Sequence, residues 1–339
     1  MTVPKDGIVL RQSSVKDYQS CKRLYAWQRL EGLQPSERRP ALAIGTAVHA
    51  GLAELFSGTE LRAATRKAVE TFKDEMGPAS LPGEQTMLVE GEDLIRRMIP
   101  AYHDHWEEVE GIFTPLGIEV EFFVEVGEDS NVFIRGRVDN LNSFLGGLWL
   151  VDHKTIGRND PRDRLKYEMD AQPTTYIYGL TKQLTLESLA RGGKPVVIRG
   201  LIVDWLIKTK RPQFERARYS RTIEALREWE SETVEIGQEI LSRFKRVEAG
   251  EDWKTVFYKN TDHCFKFGTC AFRDLCVVDS PARRLSYVSR KKDYVDTAQE
   301  ALNDGFESME IITNDTLVDL EKKAKGTNGQ VAEKPTATS

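Results

Sequence analysis

The feature that most limits how this chain can fold is a change of hydrophobic period about a third of the way along it. Between Ile118 and Val126 apolar and polar residues alternate, with Ile118, Val120, Phe122, Val124 and Val126 on one side and Glu119, Glu121 and Glu125 on the other. A repeat of two marks a strand buried on one face. The chain before it reads as four helices, Ser13–Leu33, Ala41–Phe56, Thr59–Met76 and Met87–Glu108. Ser14 with Asp17 three positions on gives the first a capping-box-like start, and Gly58 stands just past the second. After it come two more strands, Asn131–Asp139 and Leu148–Lys154, joined by a turn at Gly146–Gly147. Beyond the polar stretch Arg158–Arg164 a helical segment reaches Leu184. Val196–Ile207 reads as a fourth strand, Arg221–Ala249 as a long charged helix and Asp293–Phe306 as one more helix. Three consecutive strands after a run of helices predict an α+β fold with a mixed central sheet flanked by helices. Lys322–Ser339 is small, polar and free of aromatics, the composition of a disordered tail.

With 339 residues, 40% hydrophobic and 30% charged, the chain can bury a sizeable core. No apolar run approaches the roughly 20 residues of a membrane span, and Met1–Leu10 lacks the apolar stretch of a secretory signal. A cytoplasmic protein with no membrane partner is expected. A net charge of −5 does not mark a nucleic-acid binder, although local charge can. A phosphate-binding loop of the motor ATPases, a dinucleotide fingerprint and a serine nucleophile elbow are all missing.

Chemistry concentrates at the end of the third strand. Asp152 and Lys154 in Asp152-His153-Lys154 are two apart, so they share a strand face, which Leu148 and Leu150 precede. A charged pair ending an apolar face needs a partner or a task. Asp139 closes the strand before. A stagger between the two strands is expected to be needed to bring both acids to one edge. Two carboxylates and a lysine are the minimal set for metal-assisted phosphodiester hydrolysis. The acids hold Mg²⁺ or Mn²⁺, hard cations that prefer oxygen, and the lysine positions water and offsets developing negative charge. Alone, such a pair is more often a surface feature than a catalyst.

It does not stand alone. Gly45-Thr46-Ala47-Val48-His49 lies on the second helix, Gly136-Arg137-Val138-Asp139 on the second strand, and Gln172 and Tyr176 are one helical turn apart after the third strand. The opening helix carries Ser13, Ser14, Tyr18 and Cys21. In this order, over about residues 13–276, these pieces resemble the PD-(D/E)xK nucleases, and within them the RecB/AddB-like branch that includes CRISPR-associated and phage exonucleases. The resemblance implies an αβββαβ restriction-endonuclease-like core. It makes His49, Asp139 and Asp152 metal ligands and Lys154 the group that orients the water, with Gln172 and Tyr176 against substrate or the lysine. Val138 stands where the literal motif has proline, and Lys22 follows Cys21 where the branch has proline. Glu121 is a weaker candidate for an additional acid near the metal.

The four cysteines are Cys21 and the trio Cys264, Cys270 and Cys276. They are too few for a disulfide scaffold. Three of them, within a short aromatic-rich segment, suggest zinc or an iron–sulfur cluster, and the short C-x₂₋₄-C pairs usual for zinc are missing. The resembled branch implies a 4Fe–4S cluster, held by one cysteine before the core and three after it, that staples the N- and C-terminal helical parts together. Zn²⁺ is the alternative. On this reading residues 1–285 form the nuclease domain, 286–321 a helical extension and 322–339 the tail.

Basic residues gather in three runs, Arg158–Lys166, Lys208–Arg221 and Arg283–Lys292. Lys208, Lys210, Arg211, Arg216 and Arg218 are candidates for phosphate contacts, and Phe214, Tyr219 and Tyr287 for stacking on unpaired bases. The expectation is a Mg²⁺- or Mn²⁺-dependent deoxyribonuclease, an exonuclease acting on linear ends or single strands in recombination or repair. It would work in a bacterial or phage-infected cell, beside a recombination or single-strand-annealing protein. Two other readings remain: a non-catalytic DNA-binding clamp of the same fold, and a zinc-stapled RNA-processing enzyme.

Overall fold

A computed structural model describes residues 7–37, 39–78, 82–110, 113–266 and 268–289. The expected helix at 293–306 and the tail lie outside them, as does all but the first few residues of the expected extension. The chain opens with a short strand, β1 (Ile8–Leu10), then α1 (Gln12–Ser20), α2 (Lys22–Arg29) and β2 (Leu33–Pro35). Three helices come next, α3 (Pro40–Phe56), α4 (Leu61–Met76) and α5 (Pro82–Glu110). The meander is β3 (Thr114–Glu125), β4 (Val132–Phe144) and β5 (Gly147–Ile156). Beyond it lie α6 (Pro161–Met169), α7 (Ala171–Ala190), β6 (Ile198–Ile207), β7 (Gln213–Tyr219) and α8 (Ile223–Glu248). The cysteine segment is built of short pieces, α9 (Trp253–Val256), a 3₁₀ turn at Thr261–Phe265, α10 (Arg273–Val277), α11 (Pro281–Arg284) and β8 (Tyr287–Ser289).

The sheet is mixed and six-stranded. β3 and β5 run antiparallel to β4, β6 is parallel to β5, β7 antiparallel to β6, and β1 pairs in parallel with the start of β4. The parallel step from β5 to β6 needs a crossover, which α6 and α7 supply. Helices cover both faces. Val120, Phe122 and Val124 of β3 pack with Ile177 and Leu180 of α7, Tyr18 and Tyr25 of α1 and α2, and Ile240 and Phe244 of α8. On the other face α3, α4 and α5 form a second core around Val48, Leu52, Phe72 and Ile99, closed against the sheet by Leu206 and Phe214. The mixed sheet flanked by helices and its β3–β4–β5–α7–β6 order are the expected architecture.

Several local expectations are corrected. The first helix is two, broken at Cys21, whose backbone is extended (φ −162°). Ser14 is not its cap: the helix begins after Arg11, whose N–H donates back to Ser14 Oγ at 2.9 Å. The helical segment before Leu184 is also two, each started by an aspartate, Asp160 and Asp170, that accepts from a first-turn N–H. The β4–β5 turn is centred on Leu145 and Gly146, both with positive φ (49° and 69°), the two-residue geometry that matches the strand twist. The middle of the basic run Lys208–Arg221 forms β7, a strand not expected there, which buries Phe214 and Tyr219 in the two cores, so neither ring is free to stack on a base. Tyr287 lies against Phe272, with ring centroids 5.3 Å apart.

Candidate active site

The site lies where β4 and β5 part. Their pairing runs from Phe144 opposite Gly147 to Asn140 opposite Val151 and ends there. Asp139 and Asp152 are the next residues in register, so no stagger is needed to bring them together. Beyond this point the other edge of β5 stays paired with β6 as far as Ile156. The fork leaves backbone groups without ladder partners, and side chains satisfy them: the His153 N–H donates to Asp139 Oδ2 at 2.6 Å.

Asp139 is the hub. Its Oδ2 also meets His153 Nδ1 at 3.0 Å, and its Oδ1 meets His49 Nδ1 at 3.1 Å. His49 comes from α3, which can approach β5 closely because Gly45 presents no side chain; a Cβ there would stand 3.3 Å from Thr155 Oγ1. Burial alone would raise the Asp139 pKa, but the hydrogen bonds and charge of His153 and His49 outweigh it and hold the carboxyl well below the usual range. His49 is the mirror case. Burial would lower its pKa, and the bond and charge of Asp139 raise it overall.

Asp152 is buried, and its Oδ2 lies 2.7 Å from Lys154 Nζ, which is partly open to solvent. Burial, with the nearby charge of Asp139, raises the Asp152 pKa despite Lys154. The two acids are thus pushed in opposite directions by their surroundings. Behind Asp152 stands Tyr167 of α6, its hydroxyl 3.4 Å from Asp152 Oδ2 and donating to Gln172 Oε1 at 2.6 Å. Gln172 Nε2 in turn donates to Tyr176 Oη at 2.8 Å. The Gln172–Tyr176 pair therefore reaches the acids through Tyr167, a residue that no motif flagged. Burial, and then the charge of Asp152, raises the pKa of both tyrosines.

A second unflagged residue is Glu119. The pairs on either side of it, Ile118 with Asn140 and Val120 with Val138, place it across from Asp139. Its φ is +54°, rare for a residue with a side chain, and such strain collects at functional sites. Its carboxylate binds Arg137 Nε at 2.7 Å. Burial raises its pKa, with Arg137 opposing and Asp139 adding to the rise. Glu121, the acid expected nearer the metal, is exposed and sits opposite Arg137 instead.

A sequence model of the PD-(D/E)XK nuclease superfamily matches residues 10–277. The chain belongs to this superfamily. Among solved structures, the nuclease is similar to a provisionally named exonuclease from Eubacterium rectale (16% identity over 71% of this chain and 82% of that one, TM-score 0.44). It is also similar to SSO0001 (12% identity, 64% and 82%, TM-score 0.29) and to VC1899 from Vibrio cholerae (12% identity, 69% and 57%, TM-score 0.18). These likenesses are too distant to carry an argument, and the family assignment rests on the sequence match. A search of curated proteins returned no match.

Nucleases of this superfamily usually use Mg²⁺ or Mn²⁺. Among the described residues no three His, Cys, Asp or Glu side chains already surround a common point as a finished chelate. The donors are engaged with one another instead, Asp139 with two histidines and Asp152 with Lys154. Their chemistry still fits a hard cation: carboxylates from two adjacent strands and an imidazole, with Asp139 strongly favouring its ionised form.

Cys21 and the later three cysteines lie in one region: Cys270 feels the charge of Cys21, Cys264 and Cys276, its N–H donates to the Cys264 carbonyl at 2.8 Å, and none of the four is in a disulfide. Trp27 Nε1 donates to Cys276 Sγ at 3.3 Å and the Asn260 N–H to Cys21 Sγ at 3.4 Å, while the Arg23 guanidinium lies close enough to interact with both thiols. Burial raises the pKa of the Cys270 and Cys276 thiols, and at Cys276 the Trp27 N–H and the Arg23 charge oppose it.

The basic runs divide. Lys210, Arg211 and Arg218 are exposed, and Lys208 is half-buried with its Nζ 3.4 Å from the Ala41 carbonyl. Arg216 is not a surface base. Its Nε donates to the fully buried Asp204 at 2.9 Å, so it is corrected from the phosphate-binding set. In Arg158–Lys166 the charge is largely cancelled locally, by Asp160, Asp163 and Glu215. No helix of the described residues is long and apolar enough to cross a membrane.

Proposed function

We propose that this nuclease is a Mg²⁺- or Mn²⁺-dependent deoxyribonuclease of the RecB-like branch, an exonuclease that processes DNA ends. The observation that carries the reading is the meeting of Asp139, Asp152, Lys154 and His49 at the fork of β4 and β5. Asp139, Asp152 and His49 are the residues that would hold the cation. When bound, the ion supplies Lewis-acid polarisation of a phosphoryl oxygen and acidifies a water. Lys154 Nζ, at the open side of the site, orients that water toward phosphorus and balances charge on the phosphoryl oxygens. The water oxygen bonds to phosphorus and releases a proton to solvent, one P–O ester bond breaks, and the departing oxygen keeps the bond's electrons and takes a proton from solvent to become a hydroxyl. Tyr167, Gln172 and Tyr176 brace Asp152 from behind. Lys210, Arg211 and Arg218 supply exposed charge for the DNA backbone.

The same reading gives Cys21, Cys264, Cys270 and Cys276 a 4Fe–4S cluster with a stapling role. What supports it is that four free thiols, one from before the sheet and three from after it, lie in one region, with N–H donors at two of them. Hydrolysis needs no redox step. Digestion of end-labelled linear DNA with and without Mg²⁺ or Mn²⁺ tests the activity. Cleavage that disappears in Asp152→Ala supports it; DNA bound but intact at every metal concentration replaces it with the clamp reading. A broad absorption shoulder near about 400 nm in anaerobically purified protein tests the cluster. A colourless, zinc-loaded protein rejects it.

A further inference from the structure

Arg137 has two acidic neighbours on β3 and pairs with the less expected one. Glu121 stands directly across from it in the ladder and is exposed, the position where opposite charges ordinarily pair between strands. The guanidinium turns instead to Glu119, with Nε 2.7 Å from Oε2. Glu119 is the costlier partner. It holds a positive φ of +54° between two ladder pairs. Burial disfavours its charge, Arg137 opposes that, and the nearby charge of Asp139 adds to it. Two acids thus lie together on the β3 side of the fork, with one arginine beside them.

The arginine is held at one edge only. Among the described residues its guanidinium makes no other ion pair and no hydrogen bond, and its side chain is 61% exposed. Its two Nη groups are therefore available to a ligand. A planar guanidinium with donors to spare is the group that grips phosphate oxygens in pairs. Arg137 also stands at the site itself. It is two residues before Asp139 on β4, and its charge reaches Tyr176, which feels both acids as well. By strand order Glu119 lies on the β3 side of Asp139 and Lys154 on the β5 side, so the acids have a cation on either flank. In the proposed mechanism Lys154 and the metal ion take the phosphate under attack, which leaves Arg137 for the one next to it.

We propose, resting on the deoxyribonuclease reading above, that Arg137 binds the DNA phosphate adjacent to the scissile one, and that Glu119 holds the guanidinium in place until that phosphate displaces its carboxylate. Arg137 is then a substrate-binding residue and Glu119 a positioning residue. No covalent bond changes in the exchange.

Fluorescence anisotropy tests this on the full chain, with a labelled DNA duplex carrying a single-stranded tail, Ca²⁺ in place of Mg²⁺, and stepped salt. Wild type is compared with Arg137→Gln, Arg137→Lys, Glu119→Gln and the double variant Glu119→Gln/Arg137→Gln. Arg137→Gln should weaken binding about tenfold and reduce the slope of log affinity against log salt by about 0.7–0.9, one phosphate contact. Arg137→Lys keeps the charge and loses the paired donors, so it should keep the slope and recover part of the affinity. Glu119→Gln should tighten binding, and by more with Arg137 present than in the double variant. An equal gain in both backgrounds would make Glu119 only a nearby negative charge and overturn its holding role. A merely structural ion pair would lower the melting temperature of both single variants and leave the salt slope alone. A folded Arg137→Gln protein with wild-type affinity and slope overturns the proposal and leaves the nuclease reading standing. Wild type that binds no DNA overturns both.

Discussion

Lys154 Nζ and Asp152 Oδ2, two residues apart on one face of β5, are 2.7 Å apart at the point where β5 leaves β4. The ammonium group pairs with the buried carboxylate and remains partly open to solvent. In the proposed mechanism the two separate, the carboxylate toward metal and the lysine toward water. Lys154→Ala is therefore expected to lower the cleavage rate about 10²–10³-fold, the usual loss for one preorganised electrostatic group, while DNA binding persists. Single-turnover cleavage beside a filter-binding isotherm checks it. Near wild-type cleavage would remove Lys154 from the chemistry.

The ring of Phe122 occupies the space that Gly136 and Gly179 leave empty. A Cβ at Gly136 would stand 2.5 Å from Phe122 Cζ, and one at Gly179 2.3 Å from Phe122 Cε2. Gly136→Ala is expected to destabilise the domain by about 1–3 kcal/mol through overpacking. The trimmed double variant Gly136→Ala/Phe122→Leu should recover part of that loss. Urea unfolding of the four proteins measures the coupling, and additive losses would mean that the ring is not what the glycine accommodates.

The motifs were legible because each is local. Asp152 and Lys154 share a strand face, Gly45 and His49 a helix turn apart share a helix face, and the alternation in β3 declares which side is buried. Their meeting depends on register, which spacing alone does not reveal, and the expected stagger of β4 and β5 was unnecessary. Tyr167 and Glu119 escaped notice because a lone tyrosine or glutamate has no pattern until its neighbours in the fold are known. Asp204 did leave a signal. It is an acid within an apolar strand, the same reasoning that singled out Asp152. The charge-rich composition of β7 concealed a strand, because the half-buried Arg216 pairs with that acid rather than facing solvent freely. β1 has three residues, too few for any period to show.

Acid should loosen the segment just past the cysteines. Asp279 binds Arg284 at 2.7 Å and Lys254 at 2.9 Å, and Arg284 also reaches Glu31 of the N-terminal part. The Arg284 hydrogen bond holds the Asp279 carboxyl well below its ordinary range against the opposing effect of burial, and Lys254 adds to the lowering. A carboxyl depressed in the folded state stabilises above its unfolded pKa, about 3.9, and that stability is lost as pH falls through the folded value. The stability difference between wild type and Asp279→Asn should thus be constant above about pH 5 and shrink below pH 4. Denaturant titrations at stepped pH check this, and a difference that stays constant down to pH 2 would mean the ion pairs contribute nothing.

The last prediction concerns Trp27, whose indole is fully buried between Trp253 and Phe272 and donates to Cys276 Sγ at 3.3 Å. On the cluster reading, that sulfur carries negative charge, and more of it after one-electron reduction. An N–H aimed at it favours the reduced form. Trp27→Phe keeps an aromatic ring in the stack and removes the donor, so the reduction potential should become more negative. Arg23, buried beside the same sulfur, acts in the same direction through its charge, so Arg23→Gln should lower the potential too, at a greater cost in stability, because its guanidinium also holds the Phe257 and Lys254 carbonyls. Spectroelectrochemical titration of anaerobically purified protein measures both shifts. A potential unmoved in Trp27→Phe would place the indole N–H outside the cluster's hydrogen bonding, and a protein with no reducible chromophore would return the four thiols to zinc.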